Sequence, residues 1–140
     1  MDLPIPLFIA ILLVGVLIFI VMSVMKPKSH NFDQDRYQSD FLEIENTLTK
    51  ENELSYSVVI TNADKLLDKA LCEMGLPGRT MGDRLKSPKL KEKFSSLNSV
   101  WYAHKLRNQI AHEHNFKPDY NQAKHALATY REALKNLGAV

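Results

Sequence analysis

The sequence predicts an all-α protein: a single N-terminal transmembrane helix followed by a four-to-five-helix bundle. Three observations lead there. The run LFIAILLVGVLIFIVMSVM begins at Leu7 and ends at Met25 without one charged residue. Beyond it, three segments repeat apolar residues every three or four positions, the spacing of one helix face, and a fourth, residues 97–112, shows mixed periodicity. No segment alternates with a period of two. Residues 56–61 are β-prone in composition, yet a helical stripe runs through them.

The apolar run sets the first element. A bilayer span needs about 20 mostly apolar residues, and Leu3, Pro4, Ile5 and Pro6 extend the run upstream. Pro4 and Pro6 stand at the start of the helix, where a missing N–H costs least. Gly15 is tolerated in a membrane helix, and with no second glycine four residues away it makes no G-x-x-x-G pairing motif. A cleaved signal peptide would show a basic start and a small-residue cleavage site. This chain opens with Asp2, has no Lys or Arg before Lys26, and offers no A-x-A pattern near Met25. Lys26 and Lys28 follow the run, and basic residues stay on the cytoplasmic side. The expectation is a single-pass protein of the cell membrane, with the bilayer as a partner and the rest of the chain cytoplasmic. It divides into an anchor over residues 1–25, a polar linker over 26–35 (KPKSHNFDQD) and a helical domain over 36–140.

Within that domain a first helix is expected over residues 36–50, with Tyr37, Phe41, Ile44 and Leu48 on one face. A second covers 51–74, with Leu54, Val58, Ala63, Leu66, Leu67, Ala70 and Met74 as its buried side. Gly75 is placed to end it, with Pro77 following. Residues 79–96 are broken by Gly82, Ser87 and Pro88 into short turns. They are also the most basic stretch: Arg79, Arg84, Lys86, Lys89, Lys91 and Lys93 face only Asp83 and Glu92. Such a run reads either as a solvated face or as an RNA-phosphate contact, to which Lys105 would add. The net charge of +2 allows an anionic partner without demanding one. A third long helix covers 97–112, a turn 114–118, and a fourth helix 119–137. The fourth carries a stripe of Ala123, Ala126, Leu127, Tyr130, Leu134 and Leu137 and ends at Gly138.

The chemistry concentrates in WYAHKLRNQIAHEH, residues 101–114. Asn108 and His112 are four apart and share a helix face, with His104 one turn earlier and Arg107 beside them. An imidazole exchanges protons near neutral pH. A guanidinium holds a phosphate through two parallel hydrogen bonds. Together they suit phosphodiester cleavage in RNA, with the neighbouring 2′-hydroxyl as nucleophile and Arg107 stabilising charge on the phosphate. The plainer reading is that Arg, Asn and His at a helix end cap carbonyls and fix the following turn.

The run RNQIAH, Arg107 to His112, resembles the R-x4-6-H motif of HEPN domains, including a polar residue directly after the Arg. ITNADKLLDKALCEMG, then TMGDRLK, then WYAHKLRNQIAHE is similar to small bacterial HEPN-like proteins with an N-terminal span. The resemblance covers roughly residues 32–140. It implies a helical bundle with the motif at the end of its third long helix. It also implies a metal-independent endoribonuclease that pairs two motifs across a homodimer, with Arg107 and His112 catalytic and Asn108 orienting them. Asp64 on the second helix and His104 are supporting residues; Asp64 alternatively is a solvated acid beside Lys65. Such a protein would act on RNA as a toxin or stress-response effector, with an antitoxin protein as a further partner. The family also holds members that only bind nucleotide, RNA or protein, and a non-catalytic dimeric binding module is the alternative.

No cofactor or metal is expected. His104, His112 and His114 match no zinc spacing, and no glycine-rich phosphate loop is present. Cys72, the only cysteine, rules out an intrachain disulfide and reads as a core residue. Trp101 and Tyr102 read as packing residues, with base stacking the other use of their rings.

Overall fold

A computed structural model of the chain describes the backbone of residues 5–24 and 30–140, with side chains over 6–21 and 30–140. The chain forms two units, Met1–His30 and Asn31–Val140. Every element in the described residues is helical. The all-α expectation therefore holds.

The membrane-crossing helix does not. Unit one contains α1, Ile5–Val24. Among the described residues no helix is long and apolar enough to cross a membrane. Leu7 lies in α1 and is exposed. Met25, Pro27 and the two lysines from which an orientation is read, Lys26 and Lys28, lie outside the described residues.

Unit two holds four long helices, α2 (Gln34–Thr47), α3 (Glu53–Glu73), α6 (Leu97–His112) and α7 (Tyr120–Leu137), with two one-turn helices, α4 (Met81–Leu85) and α5 (Lys89–Lys93), between α3 and α6. Their ends follow from local chemistry. Asp33 caps α2 by accepting from the Arg36 N–H, and Phe32 packs edge-on against Tyr37 at 5.4 Å, which sets the angle of entry. Asn52 caps α3. Gly75 ends α3 at φ 70°, where its N–H and that of Leu76 reach back to the Cys72 and Leu71 carbonyls. Asp119 and Gln122 form a reciprocal cap on α7.

The central element is α3, which packs against α2, α4, α6 and α7. Its buried face is Tyr56, Val59, Ile60, Ala63, Leu66, Leu67, Ala70 and Leu71. Leu54 and Val58, expected inside, are exposed. Apolar residues occur nearly all round this end of the helix, so periodicity fits two faces and the packing of α7 and α6 selects one. The α7 stripe is buried as expected, from Ala123 to Leu137. Cys72, expected in the core, is exposed.

Candidate functional site

The buried carboxylate Asp64 organises the site. It sits in the middle of α3 with 3% exposure, and a charge so placed persists only with partners. Its Oδ1 accepts from the Tyr130 hydroxyl of α7 at 2.9 Å and lies 2.8 Å from Nδ1 of His104 on α6. Its Oδ2 faces Nε of Arg107 at 3.5 Å. The contacts close into a ring. Arg107 Nη1 donates to Asn108 Oδ1 at 3.1 Å, and Asn108 Nδ2 lies 3.3 Å from His104 Nε2. One arrangement satisfies both His104 and Asn108: the His104 proton on Nδ1 donates to Asp64, and Nε2 accepts from the Asn108 amide. Reversing the amide would set its NH2 against the Arg107 guanidinium, donor to donor.

Two polar atoms beside Asp64 differ in what they meet. Arg107 Nε is buried and has the Asp64 charge beside it, but no hydrogen bond. Burial, reinforced by the Asp64 carboxylate, pushes the Tyr130 hydroxyl far above the usual phenol range, so it stays a donor.

Beside the ring opens a cleft of about 530 Å³. Arg107, Asn108 and His112 line it from α6, Asp64, Lys65 and Asp68 from α3, and Gly82, Asp83 and Lys86 from α4 and its end. His112 is exposed in the last turn of α6 and makes no hydrogen bond among the described residues. The acids of the cleft are engaged: Asp64 with Arg107, Asp68 with Arg84 at 2.7 Å, and Asp83 with Lys86 at 3.6 Å. Asp83 also closes the cap of α4 with Thr80, and hydrogen bonds from Thr80 hold its carboxyl below the usual carboxylate range. Lys65 has no acidic partner among the described residues, and it leaves the cleft a positive charge.

The structure thus brings Arg107, Asn108, His112, Asp64 and His104 to one place. It distributes the basic residues differently. Lys86 lines the cleft, whereas Arg84 is only 12% exposed at its side chain and is held by Asp68. Arg79, Lys89, Lys91 and Lys93 are exposed and line no part of the cleft. Lys105 is exposed on α6, against a second depression. Two members escape a reading of the sequence. Tyr130 is one of seven apolar or aromatic positions on the α7 stripe, and nothing local marks it as a donor. Lys65 stands next to Asp64 and differs from its surface neighbours only through where α3 is placed. Among the described residues no three His, Cys, Asp or Glu side chains gather as a metal site.

Comparison with protein-family models, with curated proteins and with solved structures finds no match to this chain.

Proposed function

We propose that the protein is a metal-independent endoribonuclease of the HEPN type, acting on single-stranded or looped RNA. The observation that carries this reading is the cleft in which Arg107, Asn108 and an unpartnered, exposed His112 meet, with a buried carboxylate behind them. Arg107 is held from behind through Nε and Nη1, so its remaining Nη2 edge is free to meet a phosphate oxygen. Lys65 adds positive charge to the cleft from α3.

The reaction needs no group beyond the chain and the RNA. His112 takes the proton of the 2′-hydroxyl, O2′ bonds to phosphorus, and the bond from phosphorus to the 5′-oxygen breaks. An imidazolium returns a proton to that 5′-oxygen. The products are a 2′,3′-cyclic phosphate and a 5′-hydroxyl. Arg107 stabilises the extra negative charge on the phosphate as the O2′ bond forms. One chain supplies one free imidazole in the cleft, so a second copy would furnish the acid; this is what favours a homodimer.

The alternative, a binding module in which the motif is structural, has its own support. His104 has both ring nitrogens occupied, and Asn108 both ends of its amide. That structural role falls on His104 and not on His112. Incubating the full chain with mixed RNA in EDTA, beside its His112→Ala form, separates the two. Cleavage by the parent alone, leaving 2′,3′-cyclic phosphate ends, supports the nuclease. A folded parent that leaves RNA intact rejects it.

A further inference from the structure

A second depression, of about 280 Å³, adjoins the cleft and shares Trp101, His104 and Asn108 with it. Its other walls are Tyr102 and Lys105. Trp101 lines both the Arg107 cleft and the depression beside Tyr102. Each of the two aromatic rings meets a histidine edge-on. His104 meets Trp101 at 6.2 Å and 67°, and His125 of α7 meets Tyr102 at 6.4 Å and 86°. α4 lies beside this pair at Gly82, where a Cβ would meet His104 Nε2 at 3.6 Å and the Trp101 ring at 3.9 Å in ordinary contact. Tyr102 keeps 54% of its surface exposed, so its ring is open to a ligand.

We propose that this depression is a nucleobase-stacking subsite, which takes the base next to the phosphate held at Arg107. The proposal rests on the ribonuclease reading for that phosphate. The chemistry fits the occupant. A single-stranded nucleotide presents a flat π-face a few ångströms from its phosphate, and aromatic rings accept any base by stacking. Lys105 supplies a cation on the rim for the next phosphate along. A duplex keeps its bases stacked inside, so the subsite selects unpaired RNA.

Trp101 is the only tryptophan of the chain, so its fluorescence reports the subsite directly. The full chain is titrated with a short single-stranded DNA, which lacks the 2′-hydroxyl and is not cut. The comparison strand has the same sugar–phosphate backbone without bases. The base-bearing strand should quench Trp101 and bind roughly tenfold more tightly than the abasic one, within the range of base–aromatic stacking. Tyr102→Ala should erase that preference and Tyr102→Phe should keep it. In RNA cleavage, Tyr102→Ala should place the larger part of its loss in KM. Equal binding of the two strands would overturn the subsite while leaving the cleavage reading standing. Base-dependent quenching without any RNA cleavage would do the reverse. A Trp101 signal that changes with protein concentration alone, and not with either strand, would assign the face to a second copy and overturn the proposal.

Discussion

His104 and His112 lie two turns apart on one side of α6, and their surroundings differ in almost every respect. His104 is buried, and Asp64 and Asn108 use both its nitrogens. His112 is exposed and makes no hydrogen bond among the described residues, yet it lines the same cleft. A fully satisfied imidazole fixes its neighbours and cannot readily trade a proton with a ligand. An unsatisfied one contributes little to the fold and is free to react. The same residue type on the same helix thus serves as scaffold at its middle and as candidate reagent at its C-terminal end. What separates them is the depth to which α3 and α7 cover α6.

The sharpest way to break this comparison is His112→Ala. Cleavage should fall by about 10²- to 10⁴-fold, the usual worth of a general acid or base. Stability should change by less than about 1 kcal/mol, since the exposed His112 ring has no hydrogen-bond partner among the described residues to lose. A urea titration beside the cleavage assay reads both, and a large loss of stability would move His112 into the scaffold.

Next comes Asp64→Ala, which strips the ring of its centre. It leaves the Arg107 guanidinium, His104 and the Tyr130 hydroxyl without their shared acceptor. A cost of about 3 kcal/mol or more in chemical denaturation is expected. A near-neutral result would mean that the ring does not hold α3, α6 and α7 together.

Tyr130→Phe removes one donor to a buried carboxylate and should cost about 1–3 kcal/mol. It also changes the response to alkali. The folded state keeps the Tyr130 proton above the ordinary phenol pKa near 10, where the unfolded chain releases it. Stability is then fully present below about pH 10 and declines as pH rises beyond it. Tyr37, raised by burial and by Glu73, adds to the same decline. Urea midpoints at pH 8, 10 and 11 should therefore fall less steeply for Tyr130→Phe than for the parent.

The smallest effect belongs to His114→Ala. His114 is exposed beyond the end of α6 and lines no part of the cleft. Neither cleavage nor melting should move. A loss of cleavage there would show that the reactive imidazole has been assigned to the wrong residue.

Much of the helical unit is legible along the chain because helix ends are local. Asp33, Asn52, Gly75, Asp119 and Gly138 each act on groups within a few residues. The α7 stripe is equally plain, since its apolar residues occupy one face only. The buried face of α3 is less so: Leu54 and Val58 fit a helical period as well as Val59 and Ile60 do, and only the neighbouring helices decide between them. The N-terminal run shows the opposite hazard. Its composition predicts a bilayer span, and the described helix is not long and apolar enough to make one.

By itself the sequence determined that the chain is helical, where most of its helices begin and end, and that Arg107, Asn108 and His112 share one side of α6. Those properties depend on 3.6-residue periodicity and on hydrogen bonds that close within a turn. The tertiary structure alone decided which histidine is buried, that Tyr130 is a donor, and that Asp64 lies under Arg107. These pairs stand 40 and more residues apart, Asp64 with His104 and Asp64 with Tyr130. A carboxylate in water has no need of either partner. Once α6 and α7 close over α3 and remove the water, both become necessary.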